Sequence, residues 1–289
     1  MMFTRRDWLK VSAAAAAGVL AGGKVATALA ETGVQGGKKI PVGLQMYSLR
    51  EDAAKDLGAM IEAVAKIGYQ GVEFAGYYNH SPKEIRKMLD DNGIRCCGTH
   101  AQWPTLQPDQ IKATVEFNQI IGNRYLICPY LGEQYFEDVE ATKKTADFFN
   151  KLAEQVAGDG MLVGYHAHGG DFRKIDGEKT SWEVFFENTA ENVVMQLDTG
   201  NCLGGGGNPY KILAEFPGRT KTIHIKEHGG PKGTCVGDGE VDWPRVFHLC
   251  ETVGGTEWYI VEQEQYADGV TPLESVRKCF QNLKRMGKV

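Results

Sequence analysis

Four short apolar runs in the second half of the chain each end in a side chain that can bind a metal. They read Val163-Gly164-Tyr165-His166-Ala167-His168, Val194-Met195-Gln196-Leu197-Asp198, Thr222-Ile223-His224-Ile225-Lys226 and Tyr259-Ile260-Val261-Glu262. Parallel strands would set His166, Asp198, His224 and Glu262 side by side at one rim of a sheet or barrel, where (β/α) proteins carry their chemistry. A mixed imidazole and carboxylate set suits a divalent ion such as Mn²⁺, Zn²⁺, Co²⁺ or Fe²⁺. No cysteine falls among the four positions, which argues against a structural zinc site. His166 and His168 are two apart and share a strand face. His166 is read as the ligand and His168 as a neighbour or substrate contact, with the reverse assignment left open. Glu264 is a second choice to Glu262.

Other polar side chains end further strands: Gln45 in the first, Glu73 in the second, His100 in the third, and Lys226 just past His224. A carboxylate inside Gly71-Val72-Glu73-Phe74 is costly without a partner or a role. Glu73 is therefore either a general acid/base or half of an internal ion pair. Trp103, Tyr77, Tyr78 and Tyr266 follow strand ends, where an aromatic face suits the C–H surface of a sugar and equally suits loop packing.

The elements that must position these groups follow from periodicity. Strands are expected at 41–47, 71–75, 94–99, 124–129, 161–166, 193–198, 220–225 and 257–262, separated by amphipathic helical stretches. Leu57, Ile61, Val64, Ala65 and Ile67 stripe the first helix, which Gly68 ends; Ser81-Pro82-Lys83-Glu84 starts the second, which Asn92-Gly93 ends. Eight strands alternating with helices in 289 residues predict a single-domain (β/α)8 TIM barrel, with a doubly wound sheet as the alternative. No dinucleotide fingerprint or P-loop is present. Leu203-Gly204-Gly205-Gly206-Gly207 joins a strand end to a helix starting near Asn208-Pro209, as a substrate loop or as a plain connection.

A net charge of −5 argues against a nucleic-acid partner, which needs a basic face. The seven cysteines have no C-x-x-C pair and read as buried thiols. The first 30 residues stand apart. Thr4-Arg5-Arg6-Asp7-Trp8-Leu9-Lys10 is similar to a twin-arginine export signal, an Ala-rich stretch follows, and Ala28-Leu29-Ala30 offers a cleavage site. Residues 1–30 are thus expected to be a signal peptide engaging the Tat machinery, with 31–289 the folded domain and a periplasmic or extracellular location. The apolar stretch is too short and small-sided for a permanent membrane span.

Gly43-Leu44-Gln45-Met46-Tyr47-Ser48-Leu49-Arg50, Gly68-Tyr69-Gln70-Gly71-Val72-Glu73, Gln196-Leu197-Asp198-Thr199-Gly200-Asn201, Ile223-His224-Ile225-Lys226 and Ile260-Val261-Glu262-Gln263 occur in an order that resembles the xylose-isomerase-like barrels. This family includes sugar isomerases, epimerases, inosose dehydratases and endonuclease IV-type enzymes. The resemblance implies one divalent metal, often Mn²⁺, with Asp198, His224 and Glu262 as the ligands from strands six, seven and eight. It implies a small sugar or polyol substrate. It leads first to an isomerase or epimerase working through a metal-stabilised enediolate, with Glu262 as ligand and proton shuttle and Lys226 supporting the enolate. One departure stands out: the epimerases usually end strand five in a glutamate, and this chain has His166. The two-carboxylate scheme then needs a substitute, from His168, Glu73 or Asp171. Loss of a β-hydroxyl needs only one base and one acid, so a lyase or dehydratase on a keto-sugar or keto-inositol is the alternative. A non-catalytic sugar-binding barrel comes third. Gln45, His100 and Trp103 are the expected substrate contacts, and loops 129–137 and 227–242 the expected specificity elements.

Overall fold

A computed structural model describes residues 39–289; the export-signal segment 1–30 lies outside the described residues. The eight expected strands all form, each within a few residues of its expected bounds: Val42–Gln45 (β1), Gly71–Phe74 (β2), Arg95–His100 (β3), Tyr125–Cys128 (β4), Leu162–His166 (β5), Val194–Gln196 (β6), Thr222–Ile225 (β7) and Trp258–Val261 (β8). They lie parallel in the order β6-β5-β4-β3-β2-β1-β8-β7. The first strand pairs with both the second and the last, which excludes the doubly wound alternative, since an open sheet has no such wrap-around pairing.

The seam between β6 and β7 is the loosest part of the wall. One parallel bridge, Asp198 to His224, closes it at the C-terminal end. At the opposite end the buried Arg219 guanidinium reaches across, donating to the Val193 carbonyl at 3.0 Å and to Thr189 Oγ1 at 2.8 Å. Two of the residues expected to bind metal thus sit where the barrel closes. A short antiparallel pair, Lys174–Asp176 with Lys179–Thr180, lies outside the barrel wall.

The helix signals act as their chemistry dictates. Leu57–Ile67 buries Leu57, Ile61 and Val64 and ends at Gly68, whose φ of +119° favours glycine. Ser81 and Glu84 form a reciprocal capping box ahead of Pro82–Asp91, and Asn208 caps the helix that opens at Pro209. In the glycine run, a Cβ on Gly205 would stand 2.2 Å from the Gly169 carbonyl. Close backbone approach between two loops therefore accounts for that residue. All seven cysteines are buried with free thiols. Among the described residues no helix is long and apolar enough to cross a membrane.

Candidate metal centre

His166 ends β5, Asp198 and Glu262 follow β6 and β8 directly or within two residues, and His224 lies inside β7. One donor atom from each of these four buried residues lies within 4.8 Å of all the others. His224 Nδ1 stands 3.8 Å from Asp198 Oδ2 and 3.5 Å from Glu262 Oε2. Asp198 divides its work: Oδ1 accepts the Asn201 N–H at 2.6 Å, capping the helix Thr199–Gly204, while Oδ2 has no hydrogen-bond partner. His224 Nδ1 is likewise buried and unpartnered. Buried polar atoms are seldom left so, and two orphans facing one point among four donors fit a divalent cation. His100, His166 and His224 form a second cluster, but His100 Nε2 is already engaged with Gln196 Oε1 at 3.0 Å.

The electrostatics follow from burial and from the charges crowded together. Burial pulls the His224 imidazole down, and Glu73 and Glu262 more than reverse it, lifting it to about 10. Burial and the imidazoles of His224 and His100 hold His166 well below its ordinary value, which suits a neutral ligand. Burial raises the Asp198 carboxyl to about 7 against the pull of Lys226; a cation at the centre would reverse that shift, since it would be the largest local charge. Burial would also raise Glu262, but His224 and Lys226 outweigh it and keep the carboxylate ionised.

Around this centre the structure sorts the remaining expected residues. Lys226 Nζ reaches Asn201 Oδ1 at 3.1 Å and Glu262 Oε2 at 3.3 Å, and pairs with Glu264. Burial opposes its charge, yet Asp198, Glu262 and Glu264 raise it above the ordinary lysine value. Glu264 is thus the lysine's partner and stands outside the four-donor cluster. His168 is partly buried, with its ring 4.9 Å from that of His166 and edge-on to exposed Tyr130 at 5.7 Å. Its Nδ1 has no partner. Its backbone N–H donates to Asp171 Oδ2 at 2.7 Å, which spends Asp171 on loop structure.

Glu73 is fully buried, with Oε2 accepting from Gln45 Nε2 at 2.8 Å and His224 Nε2 at 2.5 Å and Oε1 from Gln196 Nε2 at 2.8 Å. That surrounds it with partners on both oxygens and gives it a supporting place in the expected ion pair, instead of the acid/base role. Gln45 is fully buried beneath the centre, where its Oε1 accepts the Tyr47 N–H and its amide nitrogen donates to Glu73. Trp103 packs against Tyr135, Phe148 and Phe149 and lines a groove with Gln134 and Asp138, so aromatic packing claims it. His100 stays at the centre, 8% exposed. A cavity of about 380 Å³ opens beside Lys226 and Glu262, walled by Glu264 and by residues 227–234 of the expected specificity loop. Two residues were not singled out from the sequence: Gln196 and Asn201. The signal for Gln196 was present, since an amide two positions before Asp198 in an apolar run faces the same interior.

The fold and the site together define a parallel (β/α)8 barrel with a polar histidine and carboxylate centre where the strands end. The chain belongs to the xylose isomerase-like TIM barrel family, which it matches over residues 61–285. It is 24% identical to an inosose dehydratase of Clostridium botulinum, over 87% of this chain and 98% of that protein. It is 26% identical to a sugar phosphate isomerase/epimerase of Parabacteroides distasonis, whose crystal structure superposes with a TM-score of 0.74 over 87% of this chain and 96% of that one. The fold is shared with a zinc-bound structure of the IOLI protein, at 15% identity, a TM-score of 0.65 and coverage of 86% and 96%. These relatives correct one expectation. They are mostly cytoplasmic enzymes, which overturns the expected periplasmic or extracellular location.

Proposed function

We propose that the protein is a metal-dependent dehydratase that removes water from a keto-polyol such as a keto-inositol or keto-sugar. The observation that carries this reading is one unpaired base and one ammonium flanking the four-donor cluster: His168 Nδ1, buried without a partner, and Lys226 Nζ beside Glu262. His166, Asp198, His224 and Glu262 would hold the ion. When bound, a divalent ion polarises a ketone oxygen and an adjacent hydroxyl, acidifying the neighbouring C–H. His168 takes the proton from the carbon next to the carbonyl. The electron pair of that C–H bond is first delocalised onto the ketone oxygen, and it then forms the new C=C as the carbonyl is restored and the β C–O bond breaks. The departing hydroxyl leaves as water with the proton of Lys226, and solvent resets both groups. One base and one acid suffice, which agrees with a strand-five histidine where an epimerase would use a second carboxylate. The relatives named inosose dehydratase support the same class.

The second reading is an isomerase or epimerase, favoured by the similarity to the Parabacteroides distasonis protein. It shares the proton abstraction and differs in having no leaving group. Mn²⁺ and Zn²⁺ both suit the N₂O₂ donor set. Two measurements test the proposal. Purified protein should carry about one equivalent of a divalent metal, and Asp198→Ala and Glu262→Ala should each lose it. The metal-loaded protein with a keto-inositol in D₂O should yield an unsaturated ketone, and recovery of deuterated epimer without elimination would move the assignment to epimerase.

A further inference from the structure

We propose that Gln196 is a positioning residue that fixes which nitrogen His166 presents to the centre, and that through Glu73 it does the same for His224. This rests on the reading of the four donors as a metal centre.

The assignment comes from donor and acceptor counting. Glu73 is an acceptor-only carboxylate when ionised, and its Oε1 lies 2.8 Å from the Gln196 amide nitrogen. That nitrogen also donates to Thr222 Oγ1 at 3.0 Å, so both of its hydrogens are spent. The amide oxygen must then face the other way, where His166 Nδ1 and His100 Nε2 each stand 3.0 Å from it. An oxygen cannot donate, so His166 carries its proton on Nδ1 and turns the lone pair of Nε2 to the centre. The other Glu73 oxygen meets His224 Nε2, which must be the protonated nitrogen, leaving the orphan Nδ1 toward Asp198 and Glu262. The two imidazoles thus use opposite ring nitrogens, and one amide wedged between them sets both. Outer partners of this kind fix ring orientation and basicity in metal sites.

The test is ¹H–¹⁵N long-range NMR of the histidine rings in metal-free and Zn²⁺-loaded full-length protein, alongside Zn²⁺ affinity by competition with a chelator. In the wild type, His166 should show Nδ1–H and free Nε2 without metal, and Zn²⁺ at Nε2 when loaded. Gln196→Met, close in volume but without the acceptor, should mix the His166 tautomers and weaken Zn²⁺ affinity about 10- to 100-fold. Gln196→Glu, sharing one proton with the Glu73 oxygen that the amide now meets at 2.8 Å, keeps an acceptor toward His166 and should restore the Nδ1–H form. It also provides the reading if Gln196→Met does not fold. An Nε2–H form of His166 in the wild type would overturn the inference. So would unchanged tautomer and affinity in folded Gln196→Met. If the wild type takes up no metal yet shows the Nδ1–H form, the metal reading fails while the positioning by Gln196 stands.

Discussion

At the scale of single residues, the two groups that flank the centre have separable jobs. His168 is proposed to take the proton and Lys226 to supply one to the leaving hydroxyl, so their removal should fail differently. His168→Asn is expected to lower kcat by about 10²- to 10⁴-fold and to abolish exchange of the substrate's acidic C–H with solvent deuterium. Lys226→Met should slow elimination by a similar factor while leaving that exchange measurable, because the carbon acid can still be deprotonated. Both variants should retain metal, since neither residue is among the four donors. Equal loss of exchange and elimination in both would remove the separate acid. Glu73 shows why a buried carboxylate in an apolar run is an ambiguous sign. The cost of its burial is met here by His100 and His224, which hold it ionised well below the usual carboxylate range against desolvation.

At the scale of elements, a glycine in β3 makes the room that the Glu73 carboxylate occupies. The pairing of β2 with β3 slips between Val72 and Glu73, and a Cβ on Gly98 would stand 2.3 Å from Glu73 Oε1. That is far inside contact distance, so Gly98→Ala should push the carboxylate off His224 and Gln196. The expected outcome is a loss of metal affinity of about tenfold or more in a protein whose circular dichroism remains that of a barrel. Unchanged affinity would mean that Glu73 relaxes without cost to the centre. The β6–β7 seam belongs to the same scale. Asp198 and His224 are paired there by a single bridge, and Thr199 Oγ1 donates to the Lys226 carbonyl at 2.7 Å while accepting the Lys226 N–H at 3.0 Å. One hydroxyl thereby ties the turn after Asp198 to the strand that carries His224.

At the scale of the whole molecule, stability should carry the signature of Asp171. Burial raises this carboxyl from an ordinary 3.8 to about 7. Between those values the folded chain holds a proton that the unfolded chain has released, so stability falls as pH rises through that window and levels off above it. Asp171→Asn retains an acceptor for the His168 N–H and has no titration. Its thermal midpoint relative to the wild type should therefore rise from pH 4 to pH 7, by a difference on the order of 2–4 kcal/mol in stability. A constant offset across that range would show that Asp171 does not hold its proton in the fold. The acidic balance of the chain acts at this scale too, disfavouring phosphate-rich partners.

The sequence by itself determined the eight-fold alternation, because strands of period two and helices of period 3.6 leave different apolar patterns. It also marked the four donor side chains as candidates, because three are polar groups just past or at the end of an apolar run and His224 interrupts one. Barrel closure was decided only in three dimensions, by β1 pairing with β8 across most of the chain. So was the sorting of the polar residues. Gln45 and Glu73 read like Lys226 along the chain, yet two lie beneath the centre, hydrogen-bonded to each other, and one lies beside the cavity. Trp103 went to an aromatic cluster, and Gln196 took the middle of a network spanning six strands. Linear spacing tells which face of a strand a side chain leaves from. It does not tell which partner from a distant strand will meet it there, and in a buried polar layer the partner decides the role.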